Sequence, residues 1–197
     1  MNNILNVAAF LKESLVVGPG IRDALWVQGC SILCRGCGNQ AFLPHIKQRL
    51  IPVEVLLKHF QHRQGVIDGI SVLGGEPTEQ AEGVAALLEG VQALGFSTVV
   101  FTGRLYEELL ADSEPAIQRL LAATDLLIDG PFILSERDAT LRWRGSQNQR
   151  LLYLTPRLRG VLPDESSPAT EIIISENKLI VNGVAHVRLR PFKRHLS

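Results

Sequence analysis

The sequence has no excess of charge of either sign, because 20 Lys and Arg residues balance 20 Asp and Glu residues in a chain of 197. This balance argues against a protein that binds nucleic acid through its overall charge, since such proteins are markedly basic. No apolar run reaches the roughly 18 residues that a membrane span needs, and the N-terminus lacks the order of segments of a signal peptide. We therefore expect a cytoplasmic protein that binds neither nucleic acid nor membrane.

Cysteine is scarce, and the three cysteines lie within one short stretch, at Cys30, Cys34 and Cys37. An odd number of cysteines argues against a disulfide framework. Thiolates are soft ligands that suit zinc, copper(I) or iron and sulfur. A structural zinc site needs four protein ligands, and His45 is the candidate for the fourth. Three thiolates on an iron–sulfur cluster would instead leave one coordination position open, and both interpretations stand at this point.

Short apolar runs alternate with helical patterns before residue 155, which is typical of strands joined by crossover helices. Apolar residues at helical spacing predict helices over 53–60 and 84–91, and a third helix after Pro115 with Ser113 as its cap. The predicted strands are near-continuous in aliphatic residues, as strands covered on both faces are. They span residues 24–28, 69–73, 97–101, 125–128 and 150–154.

The chain changes character after residue 155, where prolines and glycine interrupt a polar stretch. Two strands are predicted beyond it, over 171–175 and 178–182, around a tight turn at Glu176 and Asn177. A further strand over 185–190 and a basic tail follow. We predict one α/β domain over 1–155 and an extension over 156–197 that carries a small antiparallel appendage.

A second motif, Gly74-Gly75-Glu76-Pro77, follows the predicted strand over 69–73. Two glycines permit close approach of the backbone, and a carboxylate and carbonyls at a strand's carboxyl end can accept hydrogen bonds from an ammonium group. The simpler alternative is a turn that leads into the next helix.

The cysteine spacing and the Gly-Gly-Glu-Pro motif together resemble the radical SAM superfamily. Five further stretches resemble the activating proteins of anaerobic ribonucleotide reductase. They cover residues 18–22, 28–30, 37–39, 129–132 and 141–150.

The resemblance implies an incomplete parallel β/α barrel that carries one 4Fe-4S cluster on Cys30, Cys34 and Cys37 and binds S-adenosylmethionine at the unique iron. A reduced cluster would cleave S-adenosylmethionine to a 5′-deoxyadenosyl radical, which would take a hydrogen atom from a glycine of a partner glycyl radical enzyme. The electron would come from a reductant such as flavodoxin or ferredoxin. The cofactor-binding residues that the resemblance implies are Gly74, Gly75, Glu76, Thr102, Asn39 and Asp129.

Two positions depart from the family pattern, since Gly38 stands where many activating proteins have His and Gly36 where many members have an aromatic residue. Two alternatives therefore accompany the activating role: a radical SAM enzyme with another peptide or small-molecule substrate, and a zinc-stabilised binding module. The histidines His45, His59 and His62 are expected to be solvated. Residues expected to line the opening are Arg22, Arg142, Trp143, Arg144 and Asn148.

Overall fold

The computed structural model describes residues 3–163, 170–175 and 178–183. A seven-stranded sheet forms its centre, with the strand order β3-β1-β2-β4-β5-β6-β7. The four strands β2, β4, β5 and β6 are mutually parallel, whereas β1, β3 and β7 add to them in antiparallel fashion. These strands are β1 Ile4–Ser14, β2 Arg22–Val27, β3 Arg49–Pro52, β4 Gly69–Gly74, β5 Ser97–Phe101, β6 Leu126–Asp129 and β7 Arg150–Tyr153.

Within the described residues, four α-helices accompany the sheet, and three of them carry the apolar stripes that the sequence predicts. They are α1 Val53–Gln61, α2 Ala81–Ala93, α3 Tyr106–Ala111 and α4 Pro115–Ala122. Pro115 occupies the first turn of α4, as expected, but Glu114 and not Ser113 is the N-cap residue, and no side chain caps this helix. The expectation for Ser113 was therefore wrong. None of the helices in the described ranges is long and apolar enough to cross a membrane.

The two faces of the sheet have different roles. Leu25 and Val27 of β2 belong to the main core, in which α1, α2 and α4 pack on the sheet. The alternate side chains Ala24 and Trp26 belong to a smaller cluster on the opposite face. That second face borders a cavity of about 590 Å³.

Three features of the sheet differ from the sequence-based expectations. The strands β1 and β3 were not predicted, so the cysteine loop follows the second strand of the chain, although β2 is the first of the parallel set. The strand β7 was expected among strands joined by crossover helices, but it is antiparallel to β6. The physical reason is the connection, because residues 130–149 contain no α-helix that could carry the chain back across the sheet.

The predicted hairpin in the extension is present as β8 Thr170–Ser175 and β9 Lys178–Gly183. The two strands pair antiparallel as a separate two-stranded sheet, with Thr170 opposite Gly183 and Glu171 opposite Asn182. The predicted turn at residues 176–177, the strand over 185–190 and the basic tail lie outside the described residues.

Candidate cofactor site

The four parallel strands end at one edge of the sheet, at Val27, Gly74, Phe101 and Asp129. The cysteine loop follows β2 and the Gly-Gly-Glu-Pro motif follows β4. Since parallel strands present their functional groups at the carboxyl edge, these two motifs come together although they are more than 30 residues apart.

Backbone hydrogen bonds hold the loop with the three cysteines in place. The N–H groups of Gly29 and Cys30 donate to the carbonyl oxygens of Phe42 and Leu43, at 2.8 and 2.9 Å, and the N–H of Cys37 donates to the carbonyl of Cys34 at 3.1 Å. None of the three cysteines forms a disulfide. Cys30 is buried, the other two are half-buried, and all three line the cavity described above.

The donor set fits a polynuclear iron–sulfur centre. Burial raises the pKa of the Cys30 and Cys34 thiols, so a bound metal has to displace their protons. In the described residues, no group of three or more His, Cys, Asp or Glu side chains is close enough to hold one metal ion. Three thiols on one loop that line one cavity are the ligand type that iron–sulfur clusters take.

His45 has a different partner from the one that the zinc interpretation requires. Its Nε2 lies 2.7 Å from Oε2 of Glu79, whose other carboxylate oxygen accepts from the Ser31 N–H at 2.6 Å. Burial favours the protonated acid, but the bonds from His45 and Ser31 outweigh it and lower the pKa of Glu79. The Glu79 carboxylate therefore links Ser31 of the cysteine loop to His45, whose side chain is 59% exposed.

The Gly-Gly-Glu-Pro motif packs directly on the start of the cysteine loop. The N–H of Gly75 donates to the Val27 carbonyl at 2.7 Å and that of Glu76 to the Gly29 carbonyl at 2.8 Å. A Cβ atom on Gly75 would lie 2.0 Å from the Gly29 oxygen. Glycine is thus required here because the two backbones touch.

Glu76 is buried, with 2% of its surface exposed, and its carboxylate has four protein donors. Oε1 accepts from the Thr78 N–H at 3.0 Å, the Thr78 hydroxyl at 2.8 Å and the Thr102 hydroxyl at 2.7 Å, while Oε2 accepts from the Gly103 N–H at 2.9 Å. Burial raises the pKa of Glu76, and these four bonds oppose that rise. The carboxylate thereby joins the ends of β4 and β5.

Thr102 is buried at the end of β5, as predicted, and lines the cavity. Its single hydroxyl proton is donated to Glu76, and its oxygen accepts from the Arg104 N–H at 3.1 Å. This hydroxyl therefore has no proton left to donate to a ligand, and it contacts the Glu76 carboxylate directly.

Asn39 and Asp129 occupy different environments. Asn39 lines the cavity, and its backbone N–H lies 3.4 Å from Sγ of Cys37. The fully buried carboxylate of Asp129 accepts from the Tyr106 N–H at 2.8 Å and from Nε of Arg150 at 2.9 Å. The cavity is lined by the following residue, Gly130, and not by Asp129 itself.

Two of the residues expected at the opening line the cavity, and the others do not. Trp143 and Arg144 line the cavity, and Trp143 adopts the left-handed backbone conformation, with φ of 62°, that bulky residues rarely adopt. Nε of Arg144 and Oδ1 of Asn148 are buried with no hydrogen-bond partner among the described residues. Arg142 is half-buried, and its NH1 group donates to the Thr140 carbonyl at 3.1 Å.

Arg22 was wrongly expected at the opening. It lies at the start of β2, at the opposite edge of the sheet, and it is fully buried. Its guanidinium donates to the hydroxyls of Ser71 and Ser97 and to three backbone carbonyls. Burial lowers the pKa of Arg22 to about 9. This side chain joins the amino ends of β2, β4 and β5, and it has no access to the cavity at their carboxyl ends.

Two further side chains have roles that sequence reasoning missed. His59 is only 25% exposed, and its Nε2 lies 2.7 Å from Oδ2 of the buried Asp23, so it is not a solvated histidine. Trp26 lines the cavity beside the cysteine loop. Its position directly before the loop, on the β2 face opposite Leu25, was the available signal.

Comparison with known proteins decides the family. The model of the "4Fe-4S single cluster domain" family matches residues 16–152. The chain belongs to this family.

This 4Fe-4S single cluster protein also has curated relatives that share most of their length with it. It is 30% identical over 159 residues to an anaerobic ribonucleoside-triphosphate reductase-activating protein of Vibrio cholerae, covering 74% of this chain and 96% of the relative. A protein of the same name from Pasteurella multocida is 32% identical over 163 residues, covering 77% and 99%. The resemblance to such activating proteins is confirmed. The crystal structure of QueE from Escherichia coli matches with a TM-score of 0.44 and 16% identity, over 51% of this chain and 52% of that one.

Proposed function

We propose that this protein is a radical SAM enzyme that generates a glycyl radical on a partner enzyme of the anaerobic ribonucleotide reductase type. The observation that carries the proposal is the joint placement of three thiols and the Gly-Gly-Glu-Pro motif around one cavity at the carboxyl edge of the parallel strands. The names of the curated relatives support the partner class.

Cys30, Cys34 and Cys37 are the residues that would hold a 4Fe-4S cluster. When bound there with S-adenosylmethionine, the cluster supplies one-electron cleavage of the sulfonium carbon–sulfur bond. The chain's own contribution is to orient the bound groups and to exclude competing donors. Trp26 and Trp143 supply apolar walls for this purpose, and Arg144 supplies a guanidinium at the rim.

The Gly-Gly-Glu turn would orient the amino group of the methionine moiety. Oε1 of Glu76 already accepts three hydrogen bonds from the protein, whereas Oε2 accepts one, from the Gly103 N–H, and keeps a lone pair. We therefore assign recognition of the ammonium group to Oε2 of Glu76 together with the carbonyl oxygens of Gly74 and Gly75, all of which line the cavity. In this assignment Glu76 shapes the turn, and Thr102 positions Glu76.

The finer architecture follows from the same proposal. Four parallel strands with helices on one face and a cavity on the other fit a partial β/α barrel, with residues 1–155 as the catalytic unit and 156–197 as an extension. A glycyl radical enzyme is the proposed partner and a flavodoxin or ferredoxin the proposed reductant. Three cysteines without a disulfide fit a reducing compartment, here the cytoplasm.

The test is anaerobic. The purified protein is expected to contain iron and sulfide, to absorb visible light, and to release 5′-deoxyadenosine from S-adenosylmethionine on reduction. Incubation with a co-encoded glycyl radical enzyme is expected to give a doublet electron paramagnetic resonance signal on that partner. Stoichiometric zinc in place of iron would overturn the proposal.

A second function, modification of another peptide or a small molecule, is favoured by one observation. The hairpin β8–β9 lines the cavity, although it lies outside the residues 16–152 that match the family. Release of 5′-deoxyadenosine without a glycyl radical on any co-encoded partner would support this second function over the first.

A further inference from the structure

The hairpin β8–β9 reaches the cofactor cavity from outside the family region. Ile180, Val181, Asn182 and Gly183 line the cavity together with the three cysteines. The curated relatives are matched over 96% and 99% of their length by about three quarters of this chain, so they lack a segment of this size. The cavity of this protein therefore has a wall that the family region alone does not provide.

One carboxylate attaches the hairpin to the sheet. Oε1 of Glu171 accepts from the Ser14 hydroxyl at 2.5 Å, and Oε2 accepts from the Leu15 N–H at 3.2 Å. The amide of Asn182, opposite Glu171 on β9, donates to Glu171 at 2.7 Å and to the Ser14 oxygen at 3.0 Å. We call this set of Ser14, Glu171 and Asn182 the hairpin latch.

The hydrogen-bond donors and acceptors of the latch match. Ser14 is fully buried, at the end of β1, and its one proton goes to Glu171. Asn182 supplies the other donor, so the carboxylate lies between two side-chain donors and one backbone donor. Glu171 accepts three hydrogen bonds, more than either other side chain of the latch accepts, which makes it the central residue of the latch.

Both faces of β9 border the cavity, because Ile180 and Asn182 lie on one face and Val181 on the other. Residues two apart on a strand share a face, so Ile180 lies on the same face as Asn182, and Ile173 on the same face as Glu171. Ile172 lies on the opposite face and is 53% exposed. The strand β9 thus adds Ile180, which is 39% exposed, and Val181 to the cavity wall while the latch holds the strand ends.

We propose that the β8–β9 hairpin is a latched wall of the cofactor cavity, and that Glu171 is the positioning residue that keeps it closed against solvent and stray hydrogen donors. The inference rests on the proposed function, because it assigns the wall to the site where the radical would form. A closed wall limits side reactions of a reactive intermediate and narrows the route by which a substrate glycine must enter.

The experiment compares Glu171→Gln with wild type and with Glu54→Gln, the same change on the exposed first turn of α1. Glutamine places an NH₂ group where one carboxylate oxygen accepts, so it opposes a donor of the latch. Asn182→Ala tests the latch from the other strand. All measurements use the full-length protein with its cluster.

Two readouts do not depend on catalysis. Opening of the latch is expected to speed hydrogen–deuterium exchange of the β8 and β9 amides by about tenfold in both latch variants. The two tryptophans of the chain both line the cavity, so acrylamide quenching of their fluorescence is expected to rise in the same variants. Glu54→Gln is expected to match wild type in both.

A third readout links the wall to the chemistry. The latch variants are expected to release more 5′-deoxyadenosine per glycyl radical formed on the partner than wild type does. Unchanged exchange and unchanged quenching in both latch variants would refute the wall, whatever the activity. Absence of any cleavage in wild type, with exchange and quenching altered as expected, would refute the proposed function and leave the wall intact.

Discussion

Replacing Thr102 with valine tests whether this residue positions Glu76 or binds the cofactor itself. Valine has nearly the same shape but lacks the hydroxyl that donates to Oε1 of Glu76 at 2.7 Å. The Arg104 N–H also loses its acceptor in this variant. Thr102→Ser is the matched control, because serine keeps the hydroxyl and loses only the methyl group.

The magnitude follows from burial of both partners. A hydrogen bond to a charged group contributes about 1.5–3 kcal/mol when the charge is buried, and Glu76 is buried. We expect Thr102→Val to lower the free energy of unfolding by about 2 kcal/mol. The loss in Thr102→Ser should be about 0.8 kcal/mol, the contribution of one buried methyl group.

The pH dependence of the free energy of unfolding gives a second test of the hydrogen bond from Thr102 to Glu76. Burial raises the pKa of Glu76 in the folded protein, so the stability that this group contributes is greatest below the ordinary pKa of glutamate. That stability is lost as the pH rises through the folded-state pKa. The Thr102 hydroxyl favours the ionised form, so its removal raises this pKa further. The deficit of Thr102→Val should therefore grow with rising pH across this window.

The assay is urea unfolding followed by circular dichroism under anaerobic conditions, at pH values below and above the window. Binding of S-adenosylmethionine by equilibrium dialysis is expected to weaken in Thr102→Val and to recover in Thr102→Ser. Equal stability of the two variants at every pH would refute the positioning role.

Three further substitutions test the rest of the architecture. Cys34→Ala is expected to lose the visible absorbance and the bound iron, since two thiolates do not fix the centre; full iron content would show that the ligands are wrongly assigned. Gly75→Ala is expected to abolish cluster incorporation through the 2.0 Å clash with the loop, whereas Gly38→Ala, which has open space within 4 Å, should incorporate the cluster normally. Arg22→Met is expected to lower the free energy of unfolding by about 3 kcal/mol in urea titrations because it removes five hydrogen bonds from a buried cation, and a change under about 1 kcal/mol would contradict that account.

The parallel strands could be predicted from the sequence, and two of the outer strands could not. The strand β5 has the predicted bounds, 97–101, and four of its five residues are buried because both of its faces are covered. The pairing of β1 with β2 shifts register twice, once in the segment from Val7 to Ala9 and once from Leu11 to Ser14. These shifts break the two-residue alternation along β1. The strand β3 has four residues, and two of them, Arg49 and Leu50, are exposed, so it leaves almost no pattern.

At the site, too, residues in short motifs could be predicted from the sequence, whereas contacts between residues far apart in the chain could not. The cysteines and Gly75 lie in short motifs whose chemistry is local, so sequence alone places them. Asp129 was predicted at its strand end, but its ion pair with Arg150 depends on the antiparallel return of β7, which no local pattern shows. The contact of Glu171 with Ser14 joins residues 157 positions apart and depends on where the extension lies in three dimensions.

The buried guanidinium of Arg22 has a consequence for the stability of the fold after exposure to oxygen. It holds the sheet together at the edge away from the thiols, through contacts that contain no sulfur and no metal. Oxygen that destroys the inorganic centre would damage one loop and spare this anchor. Bleached protein should therefore keep its strands, and supplying ferrous iron, sulfide and a thiol reductant should restore its brown colour without a refolding step.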